Sequence, residues 1–229
     1  MREGPAAAAV MSEERAHPII DPSNYRALDP AKKDIRVLEV APGKAGDVIR
    51  CTLRHVSLLG EPAPVYETIS YCWGAPGEPA YLELNGELVA VPASSEATIR
   101  RLRYTDRPRV LWLDAICISQ SSVADRSEQV ALMPDVYGKG ERNLIYLGED
   151  DDTMAARAQR CIEQVLAEMR DATDDFRKLD NIMANKGHDG VRTCRSGFDH
   201  DVDFDVLECL FERPWFRSVA RLYVLETER

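Results

Sequence analysis

The sequence predicts an α/β protein: a parallel sheet flanked by helices, preceded by an N-terminal antiparallel strand pair and interrupted by a β-hairpin insertion. Three observations carry this. Residues 110–113 (VLWL) form a short continuous apolar run between Pro108 and the polar stretch 119–122, as a strand buried on both faces does. Residues 66–73 (YETISYCW) are β-branched and aromatic, and 143–147 (NLIYL) make a third buried run. Helical patterns follow the second and third runs in chain order, the alternation of a parallel α/β sheet.

The elements follow in order. Pro18, Pro22 and Pro30 interrupt any early helix, so 1–24 reads as a disordered lead-in and 25–229 as a single domain. DIRVLEV (34–40) and DVIRCTLRHVSL (47–58) alternate as two adjacent antiparallel strands. LELNGELVAV (82–91) places Asn85-Gly86 between alternating segments, a type I′ hairpin signature. Ser94 or Ser95 then caps a helix to about Tyr104, with Ile99 and Leu102 inward. Ser122 and Asp125 form a capping-box pattern, opening a helix with Val130, Met133 and Tyr137 facing the core. Pro134 is expected to kink or end that helix. Acidic residues 149–152 start another helix to about Met169, where the dipole favours them. Residues 171–202 are polar, 204–211 amphipathic, and 218–226 a closing apolar segment.

Composition narrows the function classes. Net charge is −10, with no basic cluster, which argues against nucleic acid and anionic membranes as partners. No apolar run approaches the roughly 20 residues of a membrane span. The six cysteines are scattered without a CxxC pair and no secretory signal is evident; reduced thiols and a cytoplasmic location are expected.

Nucleotide and hydrolase signatures (GxGxxG, P-loop, GxSxG) are absent. The carboxylates alternating over 199–205 imitate a calcium loop, but Val206 stands where the turn requires Gly. His188, Cys194 and His200 are too loosely spaced for zinc. No metal and no resident cofactor is expected. The remaining candidate is positional. Asp114 ends the central strand, and ligands of open α/β sheets bind beyond the carboxyl ends of the strands. Asp114 also suits a purely local role, bonding nearby backbone N–H groups. Cys117 follows in the same loop with no histidine near it in sequence. Trp73 and Trp112 are either core or walls for a flat ring.

In order along the chain stand YRALDP (25–30), IRVLEV, YETISYCWG, LNGELVAVP, LWLDAICISQ, DRSEQVALMPDVY, NLIYLGED and RPWFRSVARLYVLE. This series, spanning about 25–226, resembles the fungal heterokaryon-incompatibility (HET) domain. It departs from the family in three places. Ser119 replaces the usual Asn, Pro134 falls within a helix, and the last block is disturbed, with four residues between Phe216 and Arg221.

The resemblance implies fungal non-self recognition leading to growth arrest and cell death. It also implies distant kinship to TIR domains, which are flavodoxin-like, some of them cleaving NAD⁺ with a catalytic Glu. By that analogy the fold is flavodoxin-like or TIR-like. Ser70, Tyr71, Trp73, Gly74, Asp114, Cys117, Gln120 and Gln129 would then line a substrate site, and Glu226 or Glu228 would be catalytic. The family's Glu falls on Thr227 when counted from Tyr223. Its two acidic neighbours would each be turned about 100° from it on a helix. NAD⁺ is thus the implied substrate. The alternative is a non-catalytic module that self-associates or docks a receptor protein.

Overall fold

The computed structural model describes residues 20–150, 153–171 and 203–217. The chain divides into two compact units, 1–146 and 147–229. The first unit holds β1 (Asp34–Val40), β2 (Arg50–Ser57), β3 (Glu67–Tyr71), β4 (Ala80–Leu84), β5 (Glu87–Val91), α1 (Ala93–Leu102), β6 (Arg109–Trp112), the single turn α2 (Asp114–Cys117), α3 (Val123–Lys139) and β7 (Arg142–Tyr146).

These strands form one seven-stranded sheet, ordered β5-β4-β2-β1-β6-β3-β7. β6, β3 and β7 run parallel. β1 is antiparallel to both β2 and β6, and β4 to β5. The sheet is therefore mixed, which corrects the expectation of a parallel sheet. The N-terminal pair is no appendage; β1 lies inside the sheet. The reason is in its sequence. Ile35 and Val37 point to one face, Leu38 and Val40 to the other, and all are buried, so the strand needs a place where both of its faces are covered.

The hairpin forms as its turn chemistry requires. Asn85 and Gly86 take φ of 54° and 88°, the two positive values of a type I′ turn. Asn85 Oδ1 also accepts the Leu53 N–H at 2.9 Å, tying the turn to β2. β6 is interior, with Leu111, Trp112 and Leu113 fully buried.

Four expectations need correction. β7 is an edge strand rather than a buried one: Leu144 and Tyr146 pack on the core while Ile145 is 53% exposed. Neither Ser94 nor Ser95 caps α1, whose N-cap is Pro92; both serines lie in the first turn and bond elsewhere. Pro134 does not end α3, which continues to Lys139. Pro134 and Val130 both lie on the exposed face, so the Val130 carbonyl released by the missing N–H reaches water. Val130 accordingly faces out, and Gln129, Met133, Val136 and Tyr137 form the inner stripe.

Residues ahead of β1 also contribute to the packing. Ile20 is buried in the core, and Tyr25 donates its hydroxyl to the Ile116 carbonyl at 3.0 Å. The second unit contains α4 (Met154–Asp171) and α5 (Phe204–Phe211), packed through Ala158, Cys161 and Val206. Most of the polar stretch 171–202 and all of 218–226 lie outside the described residues. Among the described residues no helix is long and apolar enough to cross a membrane.

Leu113 is fully buried at the junction of β6 and α2. Leu113→Ala is expected to lower unfolding free energy by about 2–5 kcal/mol in urea titration, the cost of lost transfer plus a cavity.

Candidate functional site

The parallel pairing of β3 with β6 sets Glu67 opposite Leu111 and Thr68 opposite Trp112. The chain after β3 and the loop after β6 therefore leave the same end of the sheet. Gly74, at φ 75°, turns the first loop in a conformation that a side chain would strain. Trp73 then donates its indole Nε1–H to Asp114 Oδ1 at 3.0 Å. Asp114 Oδ1 also accepts the Ala115 N–H at 2.7 Å, so the carboxylate caps its own turn and joins the two loops at once. Gln120 Nε2 closes the loop onto the Asp114 carbonyl at 2.9 Å.

A ring of hydroxyls surrounds this contact. Tyr71 and Ser95 share a 2.7 Å hydrogen bond, Ser94 Oγ donates to the Trp73 carbonyl at 2.9 Å, and Ser70 bonds the Tyr137 hydroxyl. Trp112 lies beneath, fully buried, edge-on to Tyr137 at 5.7 Å. It is core, whereas Trp73 is half-buried beside a narrow recess of about 80 Å³ that Glu78 and Ser94 also line.

Burial dominates the electrostatics. It raises the Asp114 carboxyl above its ordinary range, against the opposing hydrogen bonds from Trp73 and Ala115. Burial likewise pushes the Cys117 thiol up to about 12 and the Tyr137 hydroxyl to about 12, and lifts Tyr71 well above the usual phenol range. At neutral pH the tyrosines are hydrogen-bond donors and Cys117 is a thiol, not a nucleophilic thiolate. No Arg or Lys pairs with Asp114 among the described residues. The arrangement offers one carboxylate without a counter-cation, an indole and several neutral hydroxyls.

Ser70, Tyr71, Trp73, Gly74, Asp114 and Gln120 thus converge at one end of the sheet. Cys117 and Gln129 do not reach its open face. Cys117 is fully buried, and Gln129, 2% exposed, donates Nε2–H to the Asp34 carbonyl at 3.0 Å. Both belong to the packing under the loop. Glu226 and Glu228 lie outside the described residues, as do His188, Cys194 and His200. Among the described residues no group of three His, Cys, Asp or Glu can hold a metal ion.

The sequence reading missed what holds the loop in place. Arg36, 2% exposed, grips both oxygens of Asp125 at 3.0 and 2.8 Å. The same guanidinium donates to the Cys117 and Arg26 carbonyls and lies 5.0 Å from the Tyr25 ring centre. Asp125 in turn accepts the Ser119 N–H at 2.8 Å. Ser122 Oγ does accept from the Asp125 N–H, but the reciprocal half of the capping box is absent because Arg36 and Ser119 occupy the carboxylate. The available signal was a lone Arg within the apolar alternation of DIRVLEV.

A profile described as "Heterokaryon incompatibility protein (HET)" matches residues 66–219, more than half of the chain. The chain belongs to the HET family. A curated relative, "Heterokaryon incompatibility protein 6, OR allele" of Neurospora crassa, is 26% identical over 172 residues, covering 69% of this chain. The HET chain spans about a quarter (25%) of that relative's length. No solved structure matches it. The matched region contains the loops carrying Trp73 and Asp114 and all of α3, and leaves β1, with Arg36, outside.

Two outcomes are expected. Asp125→Ala leaves the Arg36 guanidinium buried and unpaired, and should cost about 3–5 kcal/mol of unfolding free energy in chemical denaturation. Asp114→Asn keeps an oxygen acceptor for Trp73 while removing the cost of burying a charge. Because the folded carboxyl titrates above its ordinary value of 3.8, its ionisation opposes folding as pH rises past that value. The variant should match wild type in acid. It should melt higher once pH exceeds the folded carboxyl's own range, as followed by thermal melts across pH.

Proposed function

We propose that this HET domain serves fungal non-self recognition and executes the response as a TIR-like NAD⁺ glycohydrolase acting in the cytoplasm, with growth arrest and cell death as the consequence. The observation that carries the catalytic reading is the contact of Trp73 with Asp114, at the carboxyl ends of adjacent parallel strands. The family match and the printed name of the Neurospora relative support the biological role. The strand order β6-β3-β7 supports the fold analogy. Numbered along the chain as the second, first and third parallel strands, they reproduce the 2-1-3 start of a flavodoxin-like sheet.

In this reading the nicotinamide–ribose bond breaks with its electron pair leaving on nicotinamide. Positive charge builds on the ribose carbon, water adds there and its proton passes to solvent. A carboxylate aimed at that carbon stabilises the transition state more than the ground state. Glu226 or Glu228 supplies it by the TIR analogy. Trp73 and Tyr71 bound the flat base, and Asp114 faces the cationic ring. Asp114 and its loop, with Gln120, hold the geometry.

A second reading has an observation of its own. The recess beside Trp73, about 80 Å³, is smaller than the roughly 300–1,000 Å³ of small-molecule sites. This favours a non-catalytic module that self-associates or docks a receptor protein. Incubating the purified chain with NAD⁺ and following nicotinamide release separates the two. Release in the wild type that falls at least about tenfold in Glu226→Gln or Glu228→Gln, the scale of losing transition-state stabilisation, supports the enzyme. No release, together with concentration-dependent dimerisation in sedimentation, supports the module.

A further inference from the structure

The other end of the sheet carries a second constellation. β3, β6 and β7 are parallel, so their first residues, Glu67, Arg109 and Arg142, are neighbours. Glu67 is buried, with a side chain 6% exposed. It binds Arg109 Nε through one oxygen and Arg142 at 2.6 Å through the other. Burial works to raise its carboxyl, but the hydrogen bond and charge of Arg109, followed by Arg142, hold it below the usual range. Tyr104 stands beside them. Arg107 and Arg109 lie 4.2 and 4.6 Å from its ring centre, and Arg142 bonds its hydroxyl.

The charges are unevenly paired within this group. Arg109, with a side chain 10% exposed, is sufficient to neutralise Glu67. Arg142, 59% exposed, is then a second cation on a carboxylate already paired. Among the described residues the acid that Arg107 pairs with is Asp106, at 3.3 Å with both side chains more than 60% exposed, a pairing that water and salt nearly erase. Glu141 is the remaining acid at the rim. The residues lining the cleft include three cations, Arg107, Arg109 and Arg142, and two anions, Glu67 and Glu141, with Asp106 a third acid beside Arg107 outside the lining. This stands within a chain of net charge −10. Both exposed arginines line a cleft of about 320 Å³, several times the recess at Trp73.

We propose that this cleft binds the phosphate group of a small phosphorylated molecule, held between Arg107 and Arg142. Guanidinium forks match phosphate oxygens with paired, charge-assisted hydrogen bonds. Here the forks are set in advance. Glu67 and Tyr104 orient Arg142, and the Tyr104 ring supports Arg107, so little side-chain freedom is lost on binding. The site is separate from the Asp114 loop and does not depend on its chemistry.

Inorganic phosphate titrated calorimetrically into the full chain, with ionic strength held constant by chloride, tests the assignment. Saturable binding is expected. It should weaken about tenfold or more in the double variant Arg107→Gln/Arg142→Gln, the loss of at least one charge-assisted hydrogen bond, and be unchanged in Asp114→Asn. Ribose 5-phosphate and adenosine monophosphate serve as further arms. Equal affinity for all three assigns recognition to the phosphate alone, and tighter binding of the nucleotide assigns it to a nucleotide phosphate. Absence of saturable binding, or wild-type affinity in the double variant, overturns the proposal.

Discussion

The buried pairing of Arg36 with Asp125 is the constraint on which the site end of the sheet depends. One guanidinium reaches the carboxylate at the start of α3, the carbonyl of Cys117 in the loop after β6 and the carbonyl of Arg26 ahead of β1. Four segments separated in sequence are thus fixed to one planar group. Two charges taken out of water gain little net stability over an apolar pair of the same shape, yet removing either one alone is costly. The pair's physical value is therefore positional. It fixes where the backbone of 117–119 passes, and hence where Asp114 and Gln120 stand.

Around that anchor the protein spends charge sparingly at one end of the sheet and freely at the other. The carboxyl end of β3 and β6 has neutral hydroxyls, an indole and one carboxylate without a counter-cation. In a medium of low polarity such a carboxylate is a strong attractor for positive charge, because no fixed cation screens it. The amino end instead concentrates guanidinium groups around Glu67 and Tyr104. Parallel strands let the two ends differ in this way, since all three begin at one end and finish at the other. A mixed sheet confines it to the β6-β3-β7 half.

The elements were largely legible in the chain. Asn85-Gly86 dictated its hairpin because few residues accept two consecutive positive φ values. The apolar run of 110–113 required a strand with both faces covered. Legibility failed where a residue's surroundings come from distant segments. NLIYL reads like a buried strand, yet its place at the edge exposes Ile145, and no local pattern tells an edge from a centre. Pro134 reads as a helix breaker, yet its solvent-facing position makes it tolerable. Ser94 and Ser95 read as caps, but Trp73 and Tyr71, brought up by the sheet, claim both hydroxyls.

The candidate site divides the same way. The sequence by itself determined that one buried strand finishes shortly before Asp114, that another finishes shortly before Gly74, and that their motifs are those of the HET family. These follow from local hydrophobicity, backbone freedom and motif order, which need no partner. Only the tertiary structure decided that Trp73 bonds Asp114, that Cys117 is sealed in the core, and that Arg36 locks the loop. It alone gathered Glu67, Arg109 and Arg142 at one edge. Those contacts join residues tens of positions apart. Strand register sets the grouping of Glu67, Arg109 and Arg142, and burial decides how each of the other groups is paired.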